Sequence, residues 1–238
     1  MWSSEVTNMI ITGIWETLYM TLVSTLVGYV IGLPMGIILT VSDKDGIKPN
    51  AVLYKILDVI ANIVRSVPFI ILLVLLIPFT RLVVGKSYGS TATIVPLVIA
   101  AAPYIARMVE SSLKEVDAGV IEAARSMGAS NFTIITKVML VEARTSLLVG
   151  ATITLGTILG YSAMSGAVGG GGLGAIAIRY GYTRWQTDIM IVTVILLVVP
   201  VQIFQSVGMM IANKIDRRKK LLQETSASGS LPGEKTDP

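Results

Sequence analysis

From Thr17 to Val41 the chain runs for 25 residues without a charged side chain. A helix of that length reaches about 38 Å, longer than a ~30 Å hydrocarbon core, and so crosses a bilayer with some tilt. A soluble helix would need a polar face, and this stretch has none. Apolar runs recur at 68–84, 91–108, 146–163 and 189–211. The pattern predicts an all-α integral membrane protein with five transmembrane helices. Composition agrees: 53% of residues are hydrophobic and only 14% charged, against about a quarter charged in soluble domains. There is no Cys and no His, which excludes a disulfide framework and a Cys/His zinc site.

The intervening segments set the topology. Met1 to Trp15 carries one acid, Glu5, and no base, unlike the positive start of a secretory signal. Residues 1–16 are predicted as an outer N-terminal segment and 17–211 as the transmembrane domain. Gly28, Gly32 and Gly36 share one helix face, a small-residue seam of the kind two spanning subunits would use. Lys55 to Ser66 is amphipathic, predicting an interfacial helix with Arg65 at the membrane surface, and Pro68 restarts the chain into the second span. Pro96 and Pro103 are expected to bend the third span unless neighbours satisfy the freed carbonyls. Ser165 to Gly174 reads as a glycine loop, Trp185 as an interfacial anchor, and 212–238 as a basic stop with a disordered tail. Fifteen of the 19 Lys and Arg residues fall in one set of loops and four in the other. The positive-inside bias then puts the N-terminus outside and the C-terminus in the cytoplasm. The net charge of +4 is explained by these loops, without nucleic acid.

One stretch breaks the apolar pattern. Asp117 to Val141 reads as a charged helix–turn–helix, with a first helix over about 117–128. Asp117 is placed to cap it, Gly128 to end it with positive φ, and Ser130 to cap the next helix. Its middle, Glu122-Ala123-Ala124-Arg125, is small and smooth, with an ion pair available at i,i+3. The residues alone leave two readings open: a docking plug for a soluble partner, or a solvated helix that docks nothing. Glu122-Ala123-Ala124, then Gly128, then Val138-Met139-Leu140-Val141 resembles the EAA signature of bacterial ABC-importer permeases. It departs from the Ile-x-Leu-Pro ending at Val138 and Val141. The resemblance implies a type I importer permease fold in the bacterial inner membrane. It also makes Glu122, Ala123, Ala124, Arg125, Gly128 and Ala129 the coupling helix that enters a cleft of a cytoplasmic ATPase.

Other chemistry has no support. Gly169-x-Gly171-x-x-Gly174 matches a dinucleotide fingerprint only formally, since a membrane helix and not a strand precedes it. No G-x-x-x-x-G-K-[ST] loop occurs. The spans contain no protease constellation and essentially no ionisable residue for ion-gradient coupling. The chain is expected to be non-catalytic and to hold no cofactor, with ATP and Mg bound by the partner ATPase.

Tyr161, Ser162 and Met164 precede the glycine run. Glycines permit irregular backbone beside a pathway, and these side chains could form an adaptable gate, although a flexible loop with one core methionine reads equally well. Arg65 to Val74, Ala101 to Glu110 and Gly160 to Gly174 resemble methionine importer permeases of Gram-negative bacteria. That resemblance implies a homodimer, two ATPase subunits and an extracytoplasmic methionine-binding lipoprotein. A permease for another amino acid, or a membrane scaffold that docks a partner without transport, are the competing readings.

Overall fold

The structure, a computed structural model, describes residues 4–216. The basic run from Arg217 and the tail lie outside the described residues. All regular structure among the described residues is helical. Helix α1 spans Ser4–Ser42 and begins well before Thr17. Tertiary packing supports that extension, because Ile10 is buried in a cluster with Leu173, Ile176 and Ile189 from the far end of the chain.

The second traverse differs most from the sequence expectation. Helix α2 (Ala51–Ser66) packs its polar side on the end of α5 through Asp58 and Asn62, and leaves Val52, Ile56, Ile60 and Ile63 exposed. It bends by 102° into α3 (Phe69–Leu75). Val67 sits there in extended conformation (φ −80°, ψ 127°), the geometry that the following Pro68 enforces. A second break at Leu76 precedes α4 (Ile77–Val84), which ends on Gly85 at φ 79°. Residues 69–84 would reach only about 24 Å as one helix. The stretch predicted to cross as 68–84 is thus broken at Leu76, and α2 and α3 qualify for a span only when taken together. Among the described residues four continuous helices are long and apolar enough to cross a bilayer, five counting the bent α2–α3 pair as one span.

Helix α5 (Ser90–Lys114) continues through Pro96 and Pro103 and on past Met108. Then come α6 (Ala118–Ser126) and residues 131–142, in which α7 (Asn131–Thr133) and α8 (Leu140–Glu142) flank a π-helical turn at Ile134–Met139. Helix α9 (Arg144–Ser165) leads through a 3₁₀ turn, Gly166–Val168, to α10 (Gly172–Ile176). A second π-helical turn, Ala177–Tyr182, precedes α11 (Thr187–Ile215). Trp185, before α11, is 84% exposed with φ 56°.

The α1–α5 pair is the spine. An added Cβ at Gly32 would stand 2.6 Å from the Ala102 carbonyl oxygen and 2.7 Å from the Ile105 Cβ. At Gly36 it would stand 2.5 Å from the Ala106 carbonyl oxygen and 2.7 Å from the Val109 Cβ. The glycine seam is thus filled by α5 of the same chain, not kept for a second subunit, and small residues are what let these backbones meet. Ala101, Ile105 and Val109 face it in the main core, with Leu113 and Val116 continuing that core to the base of α6. Outward, α11 shows Ile191, Ile195, Val198 and Met210 and α1 shows Leu26 and Val30, all exposed. Such a face suits hydrocarbon or further membrane subunits.

Candidate functional site

Two features stand out at opposite ends of the helices. The first is α6. Asp117 accepts the Gly119 amide at 2.8 Å and caps the helix start. At the other end Gly128 adopts φ 81°, its amide bonds the Arg125 carbonyl, and the Ala129 amide reaches the Ala124 carbonyl. That pair of bonds is a Schellman ending, which leaves a short, sharply bounded helix. Ser130 then caps α7 through the Thr133 amide at 3.2 Å. No proline interrupts Val141, and residues 131–142 stay helical.

Ala124 is buried and seats the helix against Val116, Ile134 and Met139. Glu122, Ala123, Gly128 and Arg125 are exposed, Ala129 half-buried. Around them Met127 is 81% and Phe132 75% exposed. The small exposed Ala123, with the large uncovered side chains of Met127 and Phe132 on the same short helix–turn–helix, makes a shape a cleft can receive. The expected Glu122–Arg125 ion pair does not form. Arg125 turns away and donates to the Ile47 carbonyl at 2.9 Å, because the α1–α2 turn lies within reach of its long side chain. Among the described residues Glu122 has no hydrogen-bond or ionic partner, and it lines the rim of a groove shared with Asp43, Lys114 and Arg125.

The second feature is the glycine run. It is not a free loop. The Glu16 carboxylate accepts the Gly172 amide at 2.6 Å, and Thr17 Oγ1 accepts the Leu173 amide at 2.9 Å. The Gly89 amide donates to the Gly169 carbonyl at 2.9 Å, and Thr93 Oγ1 donates to the Gly170 carbonyl at 3.2 Å. Gly169, Gly171 and Gly172 all take positive φ, where a side chain would be strained. An anion beside the unpaired amides of a helix start is stabilising, so Glu16 pins the turn between α9 and α10. Replacing Glu16 with alanine should speed amide exchange of Gly172 and Leu173 by about 10-fold, for a charge-assisted bond of roughly 1.5 kcal/mol. Hydrogen exchange with mass spectrometry reads this directly. Unchanged exchange would show the turn to be held without Glu16.

The three gate candidates do not converge. Tyr161 stacks on Phe69 with ring centroids 4.5 Å apart and planes 5° apart, joining α9 to α3. Ser162 is buried and donates to the Leu159 carbonyl at 2.8 Å. Met164 is 52% exposed. Only Tyr161 and Met164 keep surfaces free to change partners. Sequence reasoning missed Glu16, although it is the acid that terminates the uncharged run, and missed Phe69 as the partner of Tyr161.

Long apolar helices with one short, exposed helix beyond them suit a membrane-embedded subunit with a docking surface. The chain belongs to the binding-protein-dependent transport system inner membrane components, whose family pattern matches residues 28–221. It is accordingly a multi-pass protein of the inner membrane. It is similar to the D-methionine transport system permease protein MetI of Escherichia coli, 51% identical over 158 residues, 66% of this chain and 73% of that one. It is also similar to the methionine import system permease protein MetP of Bacillus subtilis, 44% identical over 222 residues, 92% of this chain and all of that one. A solved structure of the MetNI methionine ABC transporter in an inward-facing conformation contains a chain with 50% identity and a TM-score of 0.89. The match covers 91% of this chain and 100% of that one.

Proposed function

We propose that this chain is the pathway-forming permease of an ATP-driven methionine importer, taking L-methionine and also D-methionine. Two copies enclose the path, two cytoplasmic ATPase subunits bind the α6 knobs, and an extracytoplasmic methionine-binding lipoprotein delivers the substrate. Two observations support the reading. The relatives named for methionine cover most of the chain at 44–51% identity. The exposed knob stands at the end of the molecule rich in Lys and Arg, where the positive-inside rule puts the cytoplasm.

The chain supplies no chemistry of its own; ATP and Mg are held by the partner. Closure of the ATPase pair would draw the two α6 helices together and turn the bundles from inward- to outward-facing, a rigid-body mechanism. Tyr161 and Met164 are the side chains at the glycine end that would shift as the path opens, with Ser162 fixing the helix beneath them. The assay is uptake of labelled methionine into vesicles carrying permease, ATPase and binding protein. ATP-dependent methionine uptake supports the proposal. Uptake of a different amino acid in its place would reassign the substrate, and ATPase binding without any uptake would favour a scaffold.

A further inference from the structure

A chain of charged groups runs from α6 back into the membrane helices, and none of it is needed to expose the knob. Arg125 of α6 donates to Ile47 in the α1–α2 turn. That turn is tightly closed: the Gly46 amide bonds the Asp43 carbonyl at 2.9 Å, Lys48 bonds Val41 at 3.1 Å, and Asn50 bonds Ser42 at 2.9 Å. Asp43, in the same turn, pairs with Lys114 at the end of α5 at 2.7 Å. Lys114 also reaches Glu110 at 2.8 Å, and Glu110 accepts Arg107 at 2.7 Å and the Tyr54 hydroxyl at 3.3 Å. Arg107 in turn holds Asp58 and Asn62 of α2.

Glu110 is the middle of this chain. Its side chain is only 5% exposed, and a carboxylate so buried needs its partners. Its oxygens are shared between two cations and a phenol, linking α5 to α2 directly and to the α1–α2 turn through Lys114. The connections close a ring: α6 to the α1–α2 turn, the turn to α5, and α5 covalently back to α6. A displacement of α6 therefore pulls on the α1–α2 turn as well as on α5, through the exposed Arg125–Ile47 bond.

We propose that this ring is a second strut, through which movement of the docking helix reaches α1 and α2 as well as α5. Arg125, Asp43, Lys114 and Glu110 are its positioning residues. On this assignment Arg125 acts within the chain and does not contact the partner. The strut rests on the coupling reading above and extends it. It makes α1, α2 and α5 turn as one body, so that ATP hydrolysis is spent on opening the path and not on bending its lower end.

The test measures ATP hydrolysis and methionine uptake in the same proteoliposomes, together with co-purification of the ATPase. Glu110→Gln and Asp43→Asn keep shape and remove charge. Both are expected to retain the ATPase and most hydrolysis while methionine imported per ATP falls by about 3- to 30-fold, the usual span of a coupling contribution. An unchanged ratio in both overturns the strut. Release of the ATPase by Glu110→Gln also overturns it, since the group would then shape the dock. If Glu110→Gln fails to accumulate, Lys114→Met against Lys114→Arg gives the same comparison at a half-exposed position: the arginine should keep the ratio and the methionine should lose it. Glu122→Lys serves as the separate check on docking, because its loss of ATPase binding does not depend on the strut.

Discussion

Glu122→Lys should release the partner ATPase and abolish ATP-dependent uptake while leaving the permease folded. Glu122 is exposed and has no partner within the described chain, so the exchange costs the helix only a few tenths of a kcal/mol. Across an interface the same exchange reverses a charge near the centre of the contact. Central residues of that kind are worth about 2 kcal/mol or more, or roughly 30-fold in affinity. Ala123→Trp should act as strongly through shape, by filling the smooth surface that lets another backbone approach. Co-purification of the ATPase, with the permease's own melting curve as control, reads both. Normal uptake in both variants would remove α6 from the coupling role.

Gly32→Leu should be strongly damaging, as a change within the α1–α5 spine. Two effects compete at this position. Replacing a helix glycine raises helix propensity by up to about 1 kcal/mol. Against that, an added Cβ meets the Ala102 carbonyl oxygen at 2.6 Å, a backbone atom that cannot swing aside. Overpacking of a rigid contact costs about 1–3 kcal/mol, and the larger leucine lies at or beyond the upper end. The sum is destabilising, by about 2 kcal/mol or more, which lowers the melting temperature in detergent by at least roughly 4–8 °C for a chain of this length. Gly32→Ala should lower it by less. A melting temperature equal to wild type in Gly32→Leu would mean that α1 and α5 separate easily, and the spine would be misplaced.

The charge between α1 and α5 adds a smaller, pH-dependent share. The hydrogen bond from Lys114 is the main cause holding the Asp43 carboxyl below its usual range. Stability from a depressed carboxylate is present above its ordinary pKa, about 3.9, and lost as pH falls through the lowered value. The Asp43–Lys114 link is therefore intact at every physiological pH.

The parts legible in the sequence were those written in local patterns. An uncharged run long enough for a bilayer gives a spanning helix, and Asp117, Gly128 and Ser130 announce the ends of α6 and the start of α7 through their own backbone chemistry. What was not legible depends on partners distant in the chain. Glu16 and Gly172 are 156 residues apart, and nothing near Gly172 shows that its turn is pinned. Arg125 offered a local partner in Glu122 but took the Ile47 carbonyl, because the fold brings the α1–α2 turn beside it. The broken second traverse was misread for a related reason. Periodicity marked α2 as amphipathic, but it gave no sign that Asp58 and Asn62 on its polar face are held by Arg107 of α5. The run of i,i+3 and i,i+4 charges at Arg107, Glu110 and Lys114 was the one local hint of that network.

The sidedness of Ala123 tests the account most directly. The chain contains no cysteine, so Ala123→Cys carries a single thiol for a membrane-impermeant maleimide. Labelling is predicted in inside-out vesicles stripped of the ATPase, absent in intact spheroplasts, and suppressed when the ATPase is added back. Labelling of intact spheroplasts would place the knob on the wrong side of the membrane and contradict the account.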